Sequence, residues 1–163
     1  MPFFNQFRQK VMEGMMPNNR FIVRAFKLGY DSQYLATNVT LPVISYTTLE
    51  WKQTGHGVKI PNEFTFEPFT ITYRIANNGT PYRQAVEWLN SITTDSYAFN
   101  DMSTYTEDIR VIEYNRQDER VGSWLFREAY PTNISERSKS NEANTTIDTF
   151  TINFNYKDSD YHN

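Results

Sequence analysis

Residues 146–157 constrain the fold more than any other stretch of the chain. Phe150, Ile152, Phe154 and Tyr156 alternate with Thr149, Thr151, Asn153, Asn155 and Lys157. Strict period-two alternation predicts a β-strand with one apolar and one polar face. Residues 69–75 repeat the pattern, with Phe69, Ile71, Tyr73 and Ile75 set against Thr70, Thr72 and Arg74. The polar faces carry Thr and Asn rather than carboxylates. These strands predict a wall, apolar towards a core and neutral towards whatever lies outside.

The remaining elements are read against that wall. Phe3, Phe4, Phe7 and Val11 recur at near-helical spacing, with Gly14 as a stop, which predicts a short helix or arm within residues 1–19. Met12, Met15 and Met16 soften its end, and Pro17-Asn18-Asn19 is turn material. Residues 20–28 predict a strand with Phe21, Val23 and Ala25 on one face and Ile22 and Phe26 on the other; a turn at 29–32 and an extended run at 33–41 follow. In residues 43–63 the apolar spacing switches parity between Tyr46 and Leu49, and Thr54-Gly55-His56-Gly57 marks a reversal. That pattern predicts a strand pair with a long protruding loop over residues 46–61, carrying Tyr46, Leu49, Trp51, Lys52, His56 and Lys59. A second parity switch at Glu67-Pro68 predicts a bend.

Thr80 as cap and Pro81 as first residue open a helix to about residue 93. Tyr82, Ala85, Val86 and Leu89 form its packing face, flanked by Trp88. A polar loop runs to about 106. Residues 108–116 predict a central strand, apolar on both faces at Ile109, Val111, Ile112 and Tyr114. A turn and a partner strand at 121–129 make it a hairpin. Residues 130–134 read as a bend, 135–145 as a polar surface loop, and 158–163 as a mobile tail.

The 163 residues fit one domain, 1–163, able to bury roughly 70% of its extended surface. No cysteine is present, which excludes disulfides and thiolate chemistry. A net charge of −3 argues against an electrostatic nucleic-acid binder. The 12 Phe and 11 Tyr suit a β-rich core. Residues 1–8 lack the cationic start and apolar run of a signal peptide, so the four Asn-x-Ser/Thr sites are by-products of an Asn- and Thr-rich chain. No apolar stretch approaches the ~20 residues of a membrane span. His56 and His162 have no ligand-spaced partners, and no phosphate loop or nucleophile motif is present. Glu107-Asp108 and Asp118-Glu119 are solvated turn charges. Neither metal, cofactor nor catalytic residue is expected.

The order of motifs resembles a known family. A turn at Pro17-Asn18 opens a strand; Ala36-Thr37 and Leu41-Pro42 precede the long loop, and Val58-Lys59-Ile60 returns from it. Phe64-Thr65-Phe66 leads into Phe69-Thr70-Ile71-Thr72-Tyr73, and a Trp88-bearing helix follows. Tyr130-Pro131-Thr132-Asn133-Ile134 then precedes the closing strand. Nearly the whole chain is similar to the tail tube protein of contractile-tailed bacteriophages of the T4 type; where that family carries Trp before the Pro, this chain has Tyr130.

The resemblance implies a mainly β (α+β) subunit, an antiparallel β-sandwich or barrel-like body with one flanking α-helix and a long protruding loop. It implies hexameric rings stacked into a tube inside a contractile sheath, as in the related type VI secretion tube. The implied partners are further copies of the chain, the sheath protein, baseplate and tail-terminator proteins, and a tape-measure protein in the lumen. DNA would pass without specific binding. The place would be the virion tail, made in the host bacterial cytoplasm. In that family the corresponding long loop reaches the next ring; Trp51 either makes that contact or covers the edge of its own core. A tube initiator of the same fold and an aromatic-rich carbohydrate-binding sandwich are the alternatives.

Overall fold

The computed structural model describes residues 2–14, 20–137, 139 and 146–163. Helix α1 (Pro2–Glu13) begins the chain. Gly14 closes it with a positive φ and an N–H donated to the Val11 carbonyl. The side chains of Phe3, Phe4 and Phe7 and the turn at Pro17-Asn18-Asn19 lie outside the described residues.

Among the described residues nine strands follow: β1 (Phe21–Arg24), β2 (Ala36–Thr40), β3 (Ile44–Gln53), β4 (His56–Phe66), β5 (Phe69–Arg74), β6 (Glu107–Tyr114), β7 (Arg120–Ile134), β8 (Thr149–Asn155) and β9 (Asp158–His162). All pairings are antiparallel. The main sheet runs β1-β6-β7-β8-β5-β2, with β9 also on β7, and β3-β4 form a separate ribbon.

The 15-residue β7 organises the body. Its first half pairs β6 on one side and β9 on the other. Its second half pairs β8, which continues to β5 and β2. Between the halves Glu128 has φ +49°, and the β6–β7 register slips as Glu107 faces Ala129 while Ile109 faces Phe126. A residue in left-handed conformation at a bulge bends a strand sharply, so one strand serves two layers. Glu128 N–H donates to the Asp108 carboxylate at 3.0 Å across this bend. The layers face each other as a sandwich. Val23, Ile109, Val111 and Phe126 pack from one layer, and Phe69, Ile71, Tyr73, Phe150, Ile152 and Phe154 from the other.

Several local expectations are corrected here. Among the described residues no closed barrel forms: β1 and β2 end the sheet path and are not paired with each other. The strand expected over 20–28 stops at Arg24; Phe26–Leu28 and Tyr30–Tyr34 are 3-10 turns, with Phe26 and Lys27 N–H groups both donated to the Glu107 carboxylate. Residues 130–134 are strand, not bend. The Pro131 ring is buried, and a register slip at Thr132 accommodates a residue with no N–H to donate. The bend lies just before it, at Glu128. Residues 158–163 are no loose tail, because β9 is held by Arg127 bridging Asp158 and Asp160 and by Tyr161 against Trp124. Gly122 leaves room there for the Tyr161 ring, which a Cβ would displace.

Helix α2 (Tyr82–Asn90) is shorter than the predicted span. Thr80 does not cap it: its hydroxyl donates to Asn78 Oδ1 at 2.6 Å, and Pro81 holds the cap position. Ala85 and Trp88 are the buried members; Tyr82, Val86 and Leu89 are half-buried. Trp88, expected only to flank the face, is 3% exposed, lies 5.5 Å from the Phe154 ring and donates its indole N–H to the Tyr105 carbonyl. Tyr105 ends a short helix α3 (Met102–Tyr105) inside the loop expected to be irregular. Leu89→Ala is therefore expected to cost only about 1–2 kcal/mol, below the usual range for a fully buried Leu. Trp88→Ala is expected to cost about 3–5 kcal/mol, and urea melts of the two variants check the order.

Candidate assembly surfaces

The stretch expected to protrude as a loop is a regular hairpin. Thr54 and Gly55 both have positive φ, +48° and +88°, the geometry of a two-residue type I′ turn. Ten cross-strand pairs run from Gln53↔His56 to Ile44↔Phe66. Between Thr47↔Glu63 and Thr48↔Pro61 the register slips by one residue, leaving Asn62 as the bulge. That slip explains the parity switch. Near the base, Ile44 and Tyr46 share a face with Phe66 and Phe64. Beyond the bulge the apolar pairs are Leu49↔Ile60 and Trp51↔Val58, on the opposite face.

The base face is tied to the body by an aromatic chain. Tyr46 lies 5.0 Å from Phe64, Phe64 lies 4.4 Å from Phe66, and Phe66 lies 5.8 Å from Tyr156. Tyr156 continues to the buried Phe69 at 5.6 Å. The outer face has no such anchor. Leu49, Trp51, Val58 and Ile60 are all exposed, Trp51 by 62%. Lys52, His56 and Lys59 are exposed along the same ribbon, with Lys52 3.6 Å from Glu50. A two-stranded ribbon is marginal alone, and four large apolar side chains gathered on one face form an exposed apolar patch.

A second surface is the outer face of the β2-β5-β8-β7 layer. The period-two pattern buries Phe69, Ile71 and Tyr73, and Phe150, Ile152 and Phe154, completely. Their alternates face away from the core, with Thr70↔Asn153 and Thr72↔Thr151 paired side by side and Asn38 and Asn133 flanking them. The Thr72 and Thr151 hydroxyls are 2.9 Å apart. The face is neutral from strand to strand until Arg74 at its edge.

The described residues before β8 include an ionic clasp. Asp148 accepts from both Arg137 and Lys139, while the Arg137 guanidinium lies 4.2 Å above the Tyr82 ring. The two cations hold the Asp148 carboxyl at about 2, below its ordinary value of 3.8. A depressed carboxyl stabilises the folded form above its unfolded pKa, and that contribution is lost as pH falls through the folded value. The clasp is therefore expected to hold at pH 5 and to open between about pH 4 and pH 2. The Asp148 side-chain NMR shift and amide exchange at Arg137 check this; in Asp148→Asn that acid step should be missing.

Sequence reasoning missed a third surface. Phe26, Tyr30 and Tyr34 stand exposed around the two 3-10 turns. Their spacing of four resembles a helical stripe, and only the 3-10 geometry turns all three outward. Among the described residues no helix is long and apolar enough to cross a membrane.

Residues 3–162 match a family model described as phage tail tube protein. No curated protein sequence matches the chain. Solved structures share the fold, among them the following three. A chain in a sheath–tube complex of an extracellular contractile injection system, extended state, is 22% identical with a TM-score of 0.71 over 95% of this chain and 96% of that one. A chain of the anti-feeding prophage cap, a tube terminating cap, is 23% identical with a TM-score of 0.71 over 91% of each. Hcp1 from Flavobacterium johnsoniae is 13% identical with a TM-score of 0.53 over 87% of this chain and 94% of that one.

Proposed function

Because this chain belongs to the phage tail tube protein family, we propose that it is the structural subunit of a tail tube, assembling into hexameric rings that stack inside a contractile sheath. The observation that carries the reading is the two-faced β2-β5-β8-β7 layer, within a family match that spans nearly the whole chain. One face is consumed by the core. The other is a neutral lawn of Thr and Asn, suited to line a bore. Among the described residues no cationic row crosses it, Arg74 at its edge apart, so DNA would feel little of the salt-dependent attraction that slows passage. The role is mechanical, and no catalytic step is assigned.

The same reading gives the chain its partners. Further copies make the wall, a sheath protein surrounds it, and baseplate and terminator proteins cap its ends; chains of similar fold occur in a sheath–tube complex, a baseplate and a terminating cap. A tape-measure protein and then DNA would occupy the lumen of the virion tail. The contact between stacked rings is assigned to the outer face of the β3–β4 hairpin, Leu49, Trp51, Val58 and Ile60, with Lys52, His56 and Lys59 beside it.

Negative-stain microscopy of the purified protein tests this: long hollow polymers are expected. A second reading is favoured by the equal likeness to a tube terminating cap. An end protein, initiator or terminator, would stop at single rings at every concentration. Linear DNA mixed with assembled tubes at about 0.15 M salt is expected to remain unbound. Retention on the tubes would mean a basic bore and overturn the lumen assignment.

A further inference from the structure

We propose that Asn78 is a self-modification site, where this chain deamidates through a backbone imide and acquires isoaspartate. The proposal is independent of the tube reading. Asn78-Gly79 is the one Asn-Gly pair in the sequence. Closing the imide brings the backbone nitrogen of the following residue onto the asparagine Cγ, and a side chain on that residue obstructs the approach. Glycine has none, and its backbone reaches conformations that other residues avoid. Gly79 has φ +82°, and a Cβ placed on it would meet nothing within 4 Å. Asn78 itself is exposed, in the turn between β5 and α2. The swing of Asn78 against Gly79 therefore has open space to move into. The pair Asn90-Ser91, also with a small following residue, is locked by contrast: Ser91 N–H donates to the Glu87 and Trp88 carbonyls at the end of α2.

The turn also holds the reacting amide. Asn78 Oδ1 accepts from the Thr80 hydroxyl at 2.6 Å and from the Thr80 backbone N–H at 3.1 Å. The side chain is thereby folded back along the Gly79 peptide, and two donors stand at the oxygen on which negative charge grows as the nitrogen adds. One contact opposes the step: Gly79 N–H donates to the Ala76 carbonyl at 2.9 Å and must be released first. The Gly79 nitrogen then passes its proton to hydroxide and bonds to Asn78 Cγ. The Cγ–Nδ2 bond breaks, and the departing nitrogen takes a proton from water and leaves as ammonia. Water opens the imide at either carbonyl, giving aspartate or isoaspartate. Isoaspartate carries the main chain through Cβ, one atom longer than before. The turn closes on the Gly79–Ala76 bond and on Ala76 N–H to the Thr80 carbonyl at 2.7 Å, while Arg83 N–H in the first turn of α2 donates to the Gly79 carbonyl at 3.1 Å. A lengthened main chain cannot keep all three, so the modification loosens the entry to α2.

Ageing the full chain in mildly alkaline buffer tests the site, with peptide mapping by mass spectrometry and methyl labelling by an isoaspartyl methyltransferase as the probe. A gain of a single mass unit and the methyl label are expected first in the peptide that contains residue 78. Isoaspartate should exceed aspartate there, the rate should rise with pH, and the aged protein should melt at a lower temperature than the fresh one. Asn78→Gln, which melts as the parent does, should lose the early label. Label retained in that variant, or other asparagines changing while residue 78 stays intact, would overturn the site. Aspartate alone at position 78 would mean direct hydrolysis and overturn the imide route. Thr80→Val keeps the shape of the side chain and removes the hydroxyl, and it should slow the labelling. A faster or unchanged rate would show that the hydroxyl restrains the amide or does nothing, and would remove Thr80 from the step.

Discussion

Phe69→Ala is expected to destabilise the monomer by about 3–5 kcal/mol, with the upper end favoured. Phe69 is completely buried. Its ring is stacked 4.0 Å from Phe126 at 17° and 5.2 Å from Phe154, and Tyr156 lies 5.6 Å away. Phe126 belongs to the first half of β7 and Phe154 to β8, so this one ring spans the joint between the layers. Truncating it removes the transfer energy of the side chain, opens a cavity bounded by strands that cannot collapse independently, and deletes aromatic contacts worth about 0.5–1.5 kcal/mol per pair. Against a total stability of roughly 5–15 kcal/mol, that is a large share. Urea denaturation followed by intrinsic fluorescence measures it. A loss under about 1.5 kcal/mol would show that the joint between the layers repacks freely, contrary to the sandwich described above.

For Trp51→Ala the expected pattern is the reverse: a monomer of unchanged stability, within about 0.5 kcal/mol, and a failure of tube assembly. The side chain is 62% exposed and paired with Val58 on the unanchored face of the hairpin. Covering the edge of its own core would have buried it; truncation in the monomer therefore removes little contact. In the tube the same side chain is assigned to an interface, where Trp is enriched among residues worth about 2 kcal/mol or more. Repeated in every subunit, a loss of that size shortens or abolishes the polymer. A thermal melt and a polymerisation assay read the two effects separately. Normal tubes from the variant would remove Trp51 from the contact, and a melt lowered by several kcal/mol would place it in the monomer's own stability.

The hairpin also shows where sequence reading runs out. Its parity switch between Tyr46 and Leu49 is plain in the sequence, and it pointed away from an ordinary buried strand. The cause, one unpaired residue at Asn62 in the opposite strand, belongs to the pairing of two segments. The bulge flips the faces of β4 alone, so Phe64 and Ile60, alike in sequence parity, point opposite ways and match the switch in β3. The surface around Gln33 was hidden for a related reason. Glutamine is ordinarily a surface residue, yet Gln33, within the second 3-10 turn, is buried.

What the sequence by itself determined is what depends on near neighbours. Alternation in residues 69–75 and 149–156 is a property of consecutive residues, and burying the apolar alternates makes β5 and β8 strands in any sheet that covers one face. The helix at 82–90 follows from its own apolar stripe. Only the tertiary structure decided that residues 130–134 extend β7, and that polar Asp158–His162 is a strand at all. Asp158 and Asp160 find Arg127 some thirty residues away, and Tyr161 finds Trp124. The choice between sandwich and barrel was of the same kind: closure requires the two end strands, β1 and β2, to meet, and the bend at Glu128 instead turns their layers face to face. Periodicity is written in adjacent residues, whereas edges, bulges and closures are set by segments that meet only after the chain has folded.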